Sequence, residues 1–200
     1  MYIPKHFEQN DRQKILAFMR AYNFALIVSA SDDVPVATHL PFVIEERGSD
    51  IVLVSHMGKA NEQWKTFKGK EVLVVFSEPH AYISPSLYEK KQNVPTWNYV
   101  AVHAYGKIDF IDDPQQQFDL LEKMMAAFDE AYLEQWKTLD VSYKENLRRG
   151  IVAFEMKIET LQGKEKLSQN KSDADRQNVK KHLSESDEEM KRDLSKMMKE

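Results

Sequence analysis

The chain has 200 residues, no cysteine, 42% hydrophobic residues and a formal net charge of −4. That is enough apolar material for one domain with a packed core, and too little positive charge to coat nucleic acid or an anionic membrane through its global field. Without cysteine, disulfides, thiolate catalysis and Cys-based zinc or iron–sulfur sites are excluded.

Met1–Phe7 lacks the long apolar core of a signal peptide, and no apolar run approaches the ~18 residues of a membrane span. A soluble, cytoplasmic protein is expected. After the extended Tyr2-Ile3-Pro4, Asn10 or Asp11 can cap a helix that carries Ile15, Phe18, Met19 and Tyr22 on one face. Phe24–Ala30 has strand length and ends in the turn Ser31-Asp32-Asp33. Pro35–Glu45 predicts a second strand, with Pro41 marking an edge or a bulge. Arg47–Asp50 predicts a hairpin turn, and Ile51–His56 the returning strand.

A short helix is expected over Glu62–Phe67, stopped by Lys68-Gly69. Glu71–Ser77 is apolar at alternate and intervening positions, the pattern of a strand buried on both faces. Next come Ala81–Tyr88 and Val94–Gly106, two extended runs about a polar loop. Val100, Val102 and Ala104 share one strand face, whereas Tyr99, Ala101, His103 and Tyr105 share the other. An aromatic face with one imidazole suits a core, a planar ligand or a subunit interface, and the spacing alone leaves all three open.

Asp113-Pro114 predicts a helix start, with Phe118, Leu121, Met124, Met125 and Phe128 as its buried stripe. Ser142 and Glu145 are spaced as a capping box for a helix ending at Arg149-Gly150, and Ile151–Glu159 predicts the last strand. A helix, short-linked strands, helices and a final strand fit an α+β domain on a mainly antiparallel β-barrel with flanking helices. Residues 1–163 are assigned to it. Residues 164–200 are rich in both charges and lack aromatics. Ser172-x-x-Asp175 and Ser186-x-x-Glu189 predict one or two exposed helices there that dock lightly, swap between subunits or fray, with Met190, Leu194, Met197 and Met198 as a thin stripe.

No P-loop, GxGxxG, GxSxG or HExxH motif is present. The histidines lack ligand spacing, and Ser84 and Ser86 have no base nearby in sequence, so neither a metal site nor a catalytic set is predicted. Ser55–Asn61 joins a strand end to a helix start, where Ser55, Lys59 and Asn61 add donors for an anion. Gly163–Lys171 is a second polar cluster, a rim for a heterocycle or simply a linker. No helix-turn-helix pattern stands out.

The segments Met-Tyr-Ile-Pro at the start, Ser-His-Met-Gly-Lys-Ala-Asn-Glu-Gln-Trp at 55–64, Tyr-Ile-Ser-Pro-Ser at 82–86, Val-Pro-Thr-Trp-Asn-Tyr-Val-Ala-Val-His-Ala-Tyr-Gly at 94–106 and Gly-Lys-Glu-Lys-Leu-Ser-Gln-Asn at 163–170 together resemble the PaiB family of Bacillus-type bacteria. The resemblance covers residues 1 to about 180, and its members are negative transcriptional regulators of protease synthesis and sporulation. It implies a split β-barrel of the FMN-binding type, shared with pyridoxamine-phosphate oxidase-like proteins and haem-degrading relatives. In that superfamily the barrel is a homodimer with flavin in the cleft between subunits.

By position, the resemblance puts Ser55, Lys59 and Asn61 near the flavin phosphate, and Trp97, Asn98 and His103 near the cleft. Lys166, Ser168 and Gln169 approach from the chain's end. Flavin oxidases of this fold usually carry an arginine or lysine on the strand before the phosphate turn, whereas Pro35–Val43 here has only Thr38 and His39. The functional expectation is a dimeric repressor that binds FMN or another small molecule, with DNA contact implied by resemblance alone. An FMN-dependent oxidoreductase is the alternative, and a haem-binding or haem-degrading protein the third reading.

Overall fold

The computed structural model describes residues 1–31 and 33–198. Among them, eight strands form one mainly antiparallel, open sheet with six α-helices. The strands are β1 (Glu8–Gln9), β2 (Phe24–Ser31), β3 (Val34–Pro41), β4 (Val43–Arg47), β5 (Asp50–Gly58), β6 (Glu71–Ile83), β7 (Thr96–Ile111) and β8 (Ile151–Lys166). The helices are α1 (Arg12–Ala21), α2 (Pro114–Phe128), α3 (Glu130–Thr138), α4 (Val141–Arg149), α5 (Asp173–Ser184) and α6 (Glu189–Met197). The sheet order is β3-β2-β6-β7-β8-β5-β4, with β1 on β8. The expected α+β architecture of the split-barrel type is what the chain adopts.

Two compact units divide the chain. The larger comprises residues 16–76 and 104–161; the smaller comprises residues 1–15, 77–103 and 162–200.

In the larger unit, phenylalanines make the centre. Phe42, Phe67, Phe76 and Phe154 are fully buried, with ring centroids 5.9–6.5 Å apart for Phe67–Phe154, Phe42–Phe76 and Phe42–Phe154. A second cluster joins Val52, Val54 and Ala153 to Leu120 and Met124 of α2. Asp113 caps α2 by accepting from the Gln116 N–H at 2.9 Å, and Pro114 supplies a first-turn residue that needs no donor.

Gly48 turns the β4–β5 hairpin at φ +64°, where a side chain would be strained, and Arg47 pairs with Asp50 across it. Arg47 also forks onto the Glu155 carboxylate at 2.5 and 2.7 Å. Its guanidinium is held even more firmly protonated than usual, because the Glu155 hydrogen bonds outweigh the opposing cost of burial.

Several local expectations are corrected. The single strand over Pro35–Glu45 is two, broken at Phe42, whose ring is buried and whose N–H donates to the Asn23 carbonyl at 2.8 Å. Both pieces are edges of the sheet order, consistent with Pro41 at a strand end. The segment after Asn61 is one 3₁₀ turn, Glu62–Thr66, rather than an α-helix. Of the Glu71–Ser77 alternation, Val72, Val74 and Phe76 are buried, but Leu73 and Val75 only half so. On α2, Leu120 takes the buried place expected of Phe128, which is 44% exposed. Helix α3 was not foreseen, because its apolar face reduces to Trp136; Asp140, not Ser142, caps α4. Asp32 of the expected turn lies outside the described residues.

In the smaller unit, Asp11 caps α1 by accepting from the N–H groups of Gln13 and Lys14. The final strand continues to Lys166, well past Glu159, so the motif Gly163–Asn170 begins as β-structure. Gly163 and Gln9 are register partners, and a Cβ at 163 would come within 2.8 Å of the Gln9 carbonyl oxygen. Ser172 caps α5 as predicted. The tail helices are not lightly docked: Val179, Leu183 and Leu194 are completely buried.

Candidate functional site

The smaller unit gathers most of the predicted site residues through the period-two alternation of β7. Asn98 is 1% exposed and Trp97, on the opposite face, is 53% exposed. A ligand lying on one face of the strand therefore cannot take both side chains.

On the inner face, the Asn98 amide donates to the Ser168 hydroxyl at 2.9 Å. Ser168 sits at φ +63°, a costly conformation for a side-chain-bearing residue, and opens the turn closed by the Lys171 N–H on the Ser168 carbonyl at 3.0 Å. Gln169 locks that turn from both ends: its amide donates to the Glu165 carbonyl at 2.6 Å, and its carbonyl accepts from the Leu167 N–H at 2.7 Å. The Lys166 ammonium donates to the Thr96 hydroxyl and to the Trp97 carbonyl. Burial, with Lys164 and Lys171 nearby, pulls the Lys166 pKa down.

Thr96, Asn98, Lys166 and Ser168 line a cavity of about 120 Å³, whose further lining includes Tyr88, Asn170 and Lys171. Tyr88 is 7% exposed, and its hydroxyl has no partner of hydrogen-bonding geometry although Ser168 lies beside it. Burial, and secondarily the Asp175 carboxylate, push the Tyr88 pKa up and keep the phenol protonated.

On the outer face, Trp97 meets His80 at 5.8 Å and Tyr82 at 5.9 Å between ring centroids. A groove of about 280 Å³ runs past Trp97, His80, Pro79 and Tyr99. His103 shares the strand face of Trp97 and Tyr99 and is half-buried. Burial first, and the amino-terminal charge second, hold its imidazole below the ordinary range.

In the larger unit, the 55–61 segment is tied into the protein. Ser55 is fully buried, and its hydroxyl donates to the Pro41 carbonyl at 2.7 Å. The Asn61 amide donates to the Thr38 hydroxyl at 2.9 Å, while its carbonyl caps the 3₁₀ turn through the Gln63 N–H. The N–H groups of Lys59 and Asn61 are spent on the Gly150 and Gly58 carbonyls. What remains for a ligand is the exposed Lys59 side chain.

Sequence reasoning missed Gln63, the 3%-exposed hub of this segment. Its amide nitrogen reaches the carbonyls of Ile27 and Val36 and the Ser29 hydroxyl, and its oxygen accepts from Thr38. It also passed over Tyr88 and Thr96 as cavity groups. Of the cavity groups, the resemblance named Asn98, Lys166 and Ser168, and the clustering of donors in 163–171 was the only signal in the residues themselves.

Comparison with known proteins agrees with this architecture. Residues 1–160 match a family model described as "Putative FMN-binding domain". The protease synthase and sporulation protein PAI 2 of Bacillus subtilis is 36% identical over 204 residues, covering 100% of this chain and 97% of that protein. Among solved structures, the flavocytochrome Anf3 of Azotobacter vinelandii superposes with a TM-score of 0.63 at 15% identity, covering 82% of this chain and 72% of that one. The FAD- and haem-binding protein of Mycobacterium smegmatis gives 0.62 at 14%, covering 84% and 78%. Those two establish the fold alone. With an end-to-end match at 36% identity and a family model spanning residues 1–160, the chain belongs to the PaiB family of FMN-binding-type split barrels.

Proposed function

We propose that this protein binds FMN and acts as a homodimeric negative regulator of transcription, controlling protease synthesis and sporulation. The observation that carries this reading is the match to the Bacillus subtilis protein PAI 2, which spans 100% of this chain and 97% of that protein. Support for the flavin comes from the family's description and from the exposed Trp97, Tyr82 and His80 rings, a surface suited to a flat heterocycle. The exposed side chain of Lys59 is the other element that fits, as a cation for a phosphate. Bound FMN would supply a redox-active ring. This chain's residues would orient it and hold its charge.

The dimer is supported by an uncovered edge: β3 exposes Val34, Pro35, Val36 and Ala37 in succession. An apolar edge strand left open in a monomer is a site for uncontrolled pairing, and a second copy would cover it.

The absorbance spectrum of the purified protein, with and without added FMN, is the first test. A flavin spectrum that shifts on binding is expected, and Lys59→Ala weakens the affinity by about 1.5–3 kcal/mol if the ammonium meets the phosphate. Trp97→Ala reports separately on the aromatic surface. Gel-shift with promoter DNA across a salt series tests repression; a folded dimer that shifts no DNA at low salt would rule out direct binding.

A further inference from the structure

We propose that the inner cavity of the smaller unit is a binding site for a small free oxyanion, of phosphate or short-carboxylate size, held by Lys166, Lys171, Tyr88 and Ser168. This site is separate from the flavin surface. It lies on the inner face of β7, with Asn98, whereas Trp97 lies on the outer face.

The size comes first. At about 120 Å³ the cavity is less than half the groove beside Trp97, a space suited to a small oxyanion rather than to a three-ring flavin. The charge follows. Two lysines line the cavity and no acidic side chain does. Among the described residues neither ammonium has a carboxylate within ion-pair distance. Lys166 is bound to a hydroxyl and a carbonyl, Lys171 to the Asn93 side-chain carbonyl at 2.6 Å. Elsewhere the chain pairs its lysines freely with acids, as in Lys157–Asp50 and Lys123–Glu45. Lys171 also lies 4.2 Å from the Tyr88 ring centroid, so its position is fixed by packing as well as by its amide partner.

The third observation is the Tyr88 hydroxyl. Among the described residues none meets it with hydrogen-bonding geometry, and native interiors rarely leave a buried O–H so without a purpose or a guest. Its raised pKa leaves it a donor, which is the role an anion requires. Asp175, the nearest buried carboxylate, does not line the cavity and accepts from the Glu89 N–H at 2.9 Å. Ser168 is the fourth feature, held at a left-handed φ that sets its hydroxyl against Asn98 at the cavity wall. Two cations, an orphan donor and a strained hydroxyl converging on one small space make an anion site.

Inorganic phosphate titrated into the full-length protein at low salt, followed by calorimetry, tests this directly. One saturable site per chain is expected. Lys166→Met and Lys171→Met should each weaken it at least tenfold, and Tyr88→Phe should weaken it several-fold while leaving the fold intact, since among the described residues no partner meets that hydroxyl with hydrogen-bonding geometry. Lys123→Met, a lysine paired with Glu45 in the larger unit, is the control and should bind as wild type. Absence of saturable binding overturns the proposal, as does unchanged affinity in folded Tyr88→Phe and Lys166→Met proteins. Repeating the titration with saturating FMN separates the two sources of phosphate: an unchanged isotherm supports a free anion, whereas loss of the phosphate site assigns the cavity to the flavin's phosphate and overturns it. Failure of FMN to bind at all leaves the phosphate isotherm as the deciding result, so the two readings fail separately.

Discussion

The two compact units differ in how fully they partner their buried and half-buried polar groups. In the larger, the buried Ser29, Ser55 and Gln63 side chains each have partners, and Gln63 alone joins β2, β3 and the 3₁₀ turn. In the smaller, the partly or fully buried groups include two lysines with no carboxylate in ion-pair range among the described residues and a tyrosine hydroxyl that none of them meets with hydrogen-bonding geometry. A satisfied network holds a shape; an unsatisfied one, kept at a cost, holds a place for something else. The larger unit therefore reads as scaffold and the smaller as the receptive part, and substitutions in each should fail differently.

The largest effect is expected where the scaffold is tightest. Gly106 faces β8 so closely that an added Cβ would come 2.2 Å from the Lys157 carbonyl oxygen and 3.1 Å from the Met156 side chain. The first obstacle is backbone and cannot swing away. Gly106→Ala should cost more than ~4 kcal/mol, seen as loss of the folded baseline in urea or as insoluble protein. A variant that folds with near-native stability would mean that β7 and β8 can separate locally, and the contrast between a rigid and a receptive unit would weaken.

Next is the hub. Gln63→Leu keeps the volume but strips donors from two carbonyls and the Ser29 hydroxyl, and removes the acceptor for Thr38. Several orphaned buried groups should together cost about 2–3 kcal/mol in chemical denaturation, because some of them can recruit water. A loss below about 0.5 kcal/mol would show that the network around the turn is already solvated.

How much of this could be read from the sequence depended on range. Strands with clean alternation, such as Val100–Ala104, and helix starts marked by Asp113-Pro114 or Ser172 were legible, because period and cap are local signals. The break at Phe42 was not, since only the burial of that ring in a phenylalanine core explains why one strand becomes two. Helix α3 escaped because a single buried residue, Trp136, fixes it through the core and a hydrogen bond to Glu122 at 3.0 Å. The site was half legible. The resemblance named Lys166, Ser168 and Asn98, but not Thr96, which lies 70 residues from Lys166 in sequence and is joined to it only by the fold. Ser55 shows the opposite error: a donor in the right motif whose hydroxyl the structure uses internally.

The smallest effect concerns acid, and it probes a titratable group inside the scaffold. His56 is largely buried in the larger unit, with Nδ1 3.2 Å from the Met124 sulfur, and burial lowers its pKa. The unfolded chain binds that proton more readily than the native one, so stability rises with pH while the group titrates. The full contribution is present above the unfolded value near ~6.5 and is lost as pH falls from there through the lowered native value. Glu45 cannot supply the same slope. Although burial alone would raise its pKa, hydrogen bonds from Lys123 and Arg47 lower it, and its loss therefore begins only below the ordinary carboxylate range near ~4.3. The melting temperature should accordingly drop between pH 7.5 and 5.5, and drop less in His56→Gln, which keeps a polar side chain at the position without a titrating proton. His103, also lowered by burial, accounts for part of the slope that remains in the variant. Equal slopes in wild type and variant would move the acid sensitivity out of the scaffold and into the smaller unit.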